Sequence, residues 1–150
     1  MRVLDAAILA VAFAQVANTR GDQPTRLSLE AHILLEVRVE PIDCGTHPRY
    51  KPDPDALHRS LACARSARKD HLAFKLMQRG PGEDSEIAFG LLGLRDGATL
   101  WFWYDSAPCG GPMCNEKFEA VRCWDGETLP LVAHEADGNH RLIPCNTRQS

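Results

Sequence analysis

The chain has 150 residues, 44% of them hydrophobic and 25% charged, with a formal net charge of −3. Its pI is near 6.0 and its mean hydropathy −0.28. That is one domain's worth of an ordinary folding composition, which excludes a collagen-like repeat, a largely disordered chain and a polytopic membrane protein. Mild acidity also argues against a nucleic-acid partner, which a basic surface normally meets.

Residues Ala6 to Ala17 form an apolar run broken only by Gln15. The run is too short to span a bilayer but suits the apolar region of a secretory signal, with Arg2 before it and Ala12-Phe13-Ala14 as a small-x-small cleavage site. The expectation is a signal peptide over residues 1–17, cleaved near Ala14 or Ala17, and a single secreted domain over 18–150. No later segment reads as a membrane span, so no membrane partner is expected.

From Leu27 to Glu40 every odd position is apolar, and every even position except Leu34 is polar. Period two over this length predicts a long strand with one buried face. Pro41 to Pro54 follows as a proline-rich loop. Asp53-Pro54 is a capping residue followed by proline at the first helical position, and Ala56, Leu57, Ser60, Leu61, Cys63, Ala64 and Ala67 then share one side of a helical wheel through Lys69. Acidic Asp53 and Asp55 at its start and Arg65, Arg68 and Lys69 at its end suit the helix dipole.

Three strands are predicted next, Leu72 to Gln78, Glu86 to Leu94 and Ala98 to Tyr104, separated by the turn sequences RGPGEDS and RDG. The third carries Trp101-Phe102-Trp103-Tyr104, which suggests a central strand covered on both faces or a strand with one contact face. Weaker strand patterns cover Phe118 to Trp124, Leu129 to His134 and Arg141 to Cys145. The whole reads as α+β, an antiparallel β-sheet with one principal α-helix packed on it.

Six cysteines, Cys44, Cys63, Cys109, Cys114, Cys123 and Cys145, suggest three disulfides in an exported chain. Fifteen connectivities are open to six cysteines. Two blocks stand out in the sequence: Cys44-Gly45-Thr46-His47-Pro48 with Ala62-Cys63-Ala64 in the helix, and Cys114-Asn115-Glu116-Lys117-Phe118-Glu119-Ala120-Val121. Together they resemble the Streptomyces subtilisin inhibitor-like family of serine protease inhibitors. Ala120 stands where the family has proline, and Cys109 and Cys123 are additional to its frame.

The resemblance implies disulfides Cys44–Cys63 and Cys114–Cys145, and a reactive-site loop over Met113, Cys114, Asn115, Glu116, Lys117 and Phe118. In one register Glu116–Lys117 is the scissile bond and Glu116 enters the primary specificity pocket of the enzyme. In a second, Met113 is an apolar anchor just before Cys114. The partner implied is an extracellular serine protease, subtilisin-like or trypsin-like. No cofactor is implied, and a homodimer is left open.

Other chemistry is less well supported by the pattern. Zinc ligation by Cys109, Cys114, Cys123 and Cys145 with His134 and His140 finds no C-x2-C pair, and His134-Glu135 with His140 is not H-E-x-x-H. No metal is expected. Glu83, Asp84 and Asp105 read as turn acids, and His47 before Pro48 as a residue that shapes the loop. No G-x-S-x-G and no phosphate-cradling glycine loop occurs, so no enzyme is expected. The alternative to an inhibitor is a secreted binding or effector protein that meets its partner through the Trp101/Trp103 strand face.

Overall fold

The computed structural model describes residues 26–111, 113–123, 132–134, 140–142 and 145. The expected signal segment and its cleavage sites lie outside the described residues.

The first element corrects the sequence reading. Leu29–Val37 is a helix, α1, where a strand was expected. The alternation of Leu27 to Glu40 aliases onto a helix because Leu29, Ile33 and Val37 are four apart, and these are the residues α1 buries. Leu35, which a strand would bury, is 64% exposed. Composition favours the helix, since only Ile33 and Val37 of the nine residues are β-branched. Ser28 caps it, its Oγ accepting from Ala31 N at 3.1 Å. At the far end Arg38 turns left-handed and its N–H donates to Leu34 O at 2.8 Å.

The second correction lies in the proline-rich segment. Ile42–Pro48 is a strand, β1, and not a loop. It runs along one edge of the sheet, where prolines at its flanks are tolerated. A register shift between Asp43 and Gly45 leaves Cys44 as the extra residue of a bulge. Cys44 is buried and joined to Cys63. Gly45 has φ +139°, and a Cβ there would overlap Ser60 Oγ, so the bulge requires glycine.

Pro54–Lys69 forms α2 as expected, with Asp53 at the N-cap accepting from Asp55 N at 3.0 Å and proline in the first turn. α2 is the crossover that carries the chain from β1 to Phe74–Pro81, β2, with which β1 pairs in parallel. Glu86–Gly93 (β3), Thr99–Asp105 (β4) and Lys117–Arg122 (β5) follow, each antiparallel to its predecessor. The five-stranded sheet has the order β1-β2-β3-β4-β5. A separate hairpin pairs Val132–His134 (β6) with His140–Leu142 (β7). The class is α+β with a mostly antiparallel sheet and three disulfides, and it carries two helices among the described residues, one more than expected.

The sheet separates two cores. On one face α1 sets Leu29, Ile33 and Val37 against Met77, Ala88, Leu92, Leu100, Phe102 and Tyr104. On the other, α2 sets Leu57, Leu61, Ala64 and Ala67 against Phe74, Leu76 and Leu91. Leu142 of β7 joins this second core, fully buried, and its N–H donates to the buried Gln78 Oε1 at 2.7 Å. Trp101 and Trp103 also lie on the α2 side but are half-buried, whereas Phe102 and Tyr104 are buried under α1.

Candidate functional site, a disulfide-closed loop

Between β4 and β5 the chain makes a small ring closed by Cys109–Cys114. This corrects the pairing implied by the resemblance, because Cys114 takes Cys109 and Cys145 takes Cys123. The physical reason is proximity. Cys109 and Cys114 are five residues apart on one turn, while Cys123 leaves the end of β5 toward Cys145. The Cys44–Cys63 bridge is as expected.

The ring is anchored at both ends. Before it, Ser106 N donates to Glu86 O at 3.0 Å, Glu86 N donates to Ser106 Oγ at 2.8 Å, and Ala107 N donates to Asp105 Oδ1 at 2.9 Å. Within it, Gly110 has φ +75° and its N–H donates to Ala107 O at 2.9 Å, and Cys114 N donates to Gly111 O at 3.1 Å. Cys114 is 4% exposed and so pins the ring to the body of the protein, while Cys109 is exposed. Pro112 lies outside the described residues. Met113 is 86% exposed, the most exposed of the large hydrophobic side chains described.

The remaining loop residues have other work. Asn115 is exposed. Glu116 is turned toward α1, where its Oε1 accepts from Leu27 N at 2.9 Å and lies 3.6 Å from His32 Nε2. The Leu27 bond first, its own backbone N–H second and His32 last hold its carboxyl below the usual range. Lys117 begins β5 opposite Asp105, pairs with Glu119 at 2.7 Å and lies 5.7 Å above the Trp103 ring. Phe118 stacks on His32 at 4.9 Å and on Phe102 at 5.8 Å. The six expected residues therefore divide. Met113 is offered to solvent, Cys114 anchors it, and Glu116, Lys117 and Phe118 tie the following segment to α1 and the sheet.

His47 does more than shape a loop. It is buried, and its Nε2 lies 2.8 Å from Ser60 Oγ on α2. Burial holds its pKa below the ordinary value, against the opposing pull of Asp53 and Asp43. The pair is buried between β1 and α2, each member three residues along the chain from a cysteine of the Cys44–Cys63 bridge.

Of the residues considered for metal, all six cysteines are in disulfides. His134 and His140 are cross-strand partners in β6 and β7, and their side chains lie outside the described residues. Among the described residues no group of three His, Cys, Asp or Glu side chains converges. Arg26, Tyr104 and Ser106 were missed by sequence reading, yet all three line a cleft beside the ring. Tyr104 was masked by its place in an aromatic run that reads as core.

No known protein family, curated protein or solved structure matches this chain.

Proposed function

We propose that the protein is a secreted, non-catalytic inhibitor that enters the cleft of an extracellular serine protease with the Cys109–Cys114 ring. Met113 is the side chain that fills the primary pocket. The observation that carries this reading is an apolar side chain held 86% exposed on a ring whose neighbour Cys114 is buried. Such a loop has been ordered before it binds, so less of the contact energy is lost to immobilisation. The alternative register is disfavoured because the Glu116 carboxylate is occupied by Leu27 N and His32. Met113 suits an apolar pocket, which favours subtilisin-like enzymes over those that take a basic residue.

Export is supported by the three disulfides, which persist in oxidising compartments. No described helix is long and apolar enough to cross a membrane.

Incubation with subtilisin, chymotrypsin, trypsin and a glutamate-specific protease tests the reading. Inhibition of the first two is expected, with slow cutting after Met113. Met113→Asp should weaken inhibition by roughly 30-fold or more, the loss typical of a central interface anchor. Rapid digestion without inhibition of any of the four, or inhibition indifferent to Met113→Asp, would overturn it.

The half-buried Trp101 and Trp103 favour a second reading, an effector that contacts its partner through the α2-side face of β4. Quenching of their emission by iodide, relieved by the partner, supports that reading; complete protection in the isolated protein removes it.

A further inference from the structure

The sulfur of this chain is unevenly offered to solvent. All six cysteines are held in disulfides, so the thioethers are the sulfur left for a mild oxidant. Met1 lies in the expected signal segment. Met77 of β2 is 2% exposed in the core under α1, whereas Met113 is 86% exposed on the ring. Oxidation of a thioether follows access, because the oxidant must reach a sulfur lone pair.

The ring gives that difference a consequence. Cys114, next in the chain, is 4% exposed and bridged to Cys109, and its N–H donates to Gly111 O at 3.1 Å. Met113 is therefore held at the rim of the ring before and after any change to its side chain. A change in its polarity falls on the contact itself.

We propose that Met113 is an oxidation site through which hydrogen peroxide switches the ring off as a protease ligand. The sulfur lone pair attacks one peroxide oxygen and the O–O bond breaks. The leaving hydroxide takes the proton of the new S–OH and becomes water. Sulfur is oxidised by two electrons, the peroxide is reduced by the same two, and methionine becomes its sulfoxide. Water solvates the sulfoxide oxygen on the free ring, but an apolar pocket strips that water away without replacing it, so the bound state is the one weakened. A thiol-dependent sulfoxide reductase restores the methionine, its thiols becoming a disulfide and the oxygen leaving as water. The loss of binding rests on the inhibitor reading, whereas the selectivity of the oxidation does not.

The test treats the disulfide-bonded protein with graded hydrogen peroxide, removes the excess with catalase, and divides each sample. One portion is peptide-mapped by mass spectrometry for sulfoxide at each methionine, and the other is titrated against subtilisin. Sulfoxide should form at Met113 about tenfold faster than at Met77, or more, with circular dichroism unchanged. The inhibition constant should rise about tenfold or more at full Met113 oxidation, and the loss should follow the Met113 sulfoxide fraction. Met113→Leu should gain no oxygen on the ring peptide, and peroxide should leave its inhibition where it stood before treatment. Equal rates at Met113 and Met77 would overturn the site. Full sulfoxide at Met113 with unchanged inhibition would overturn the switch. Untreated protein that inhibits no protease would overturn the inhibitor reading and the switch with it, while selective sulfoxide at Met113 in the same samples would still support the site.

Discussion

His47 and Ser60 face each other across the β1–α2 interface at 2.8 Å. A histidine kept below its ordinary pKa of 6.5 by burial favours the neutral ring in the folded protein. Its contribution is complete above pH 6.5 and is lost as pH falls from there through the lower folded value. Urea midpoints should therefore drop between pH 7.5 and 5.5, and His47→Gln should flatten that slope. Glu116 works in a separate window. Its carboxyl is held below 4.5, so its contribution persists above that pH and disappears only as acid passes through the folded value. Gly45 belongs to the same neighbourhood. Gly45→Ala combines a φ of +139° with overlap on Ser60 and His47 and should destabilise by about 2–4 kcal/mol in chemical denaturation.

Elements show which residue patterns could be read and which could not. α2 was legible because Asp53-Pro54 marks its start locally and its small apolar residues share one face. β2, β3 and β4 were legible because strong turn signals punctuate them. α1 was not, since an every-second-residue pattern contains an every-fourth-residue one, and only packing decides between them. The two readings predict different mutants. Ile33→Ala should lower stability by about 2–5 kcal/mol, while Leu35→Ala should stay within about 0.5 kcal/mol. A strand would make both costly, and urea denaturation of the pair distinguishes the cases. β1 escaped notice because an edge strand takes its hydrogen bonds from a partner beyond a sixteen-residue helix, and nothing within IDCGTHP announces that pairing. The loop region was legible as a place, between Cys109 and Phe118, but its closure was not. The Cys44-Gly45-Thr46-His47-Pro48, Ala62-Cys63-Ala64 and Cys114–Val121 blocks pointed to a frame whose second bridge this chain does not make.

The ring's bridge and the other two are also unequal in energetic weight. By the chain-entropy relation the five-residue separation of Cys109–Cys114 contributes about 2 kcal/mol, and the nineteen-residue separation of Cys44–Cys63 about 3. Cys109 is exposed, whereas Cys44, Cys114, Cys123 and Cys145 are buried. Under a limiting dithiol, the ring should open first, by attack on Cys109 and release of the Cys114 thiolate. Mass spectrometry of alkylated thiols reads the order. The fold should survive that reduction and the proposed inhibition should not, because Met113 would lose its fixed geometry.

At the scale of the molecule, the sheet is a wall between two cores that share few side chains, and the α2-side core is closed in part by a residue far along the chain. Leu142 reaches it and is held by Gln78. Ending the chain before His140 removes both contacts and the Cys123–Cys145 bridge. Such a truncation should expose the leucine cluster of α2 and bind a hydrophobic dye, leaving the α1 side ordered.

The three bridges run in simple succession along the chain: Cys44 with Cys63, Cys109 with Cys114, Cys123 with Cys145. None encloses or crosses another. In the export proposed above, a chain emerging from its N-terminus meets each partner immediately after the cysteine it needs. An oxidant that joins thiols in order of appearance makes the native set directly, and no wrong bridge has to be undone. Refolding from the reduced state with an oxidant alone should accordingly approach the yield obtained with an added disulfide isomerase.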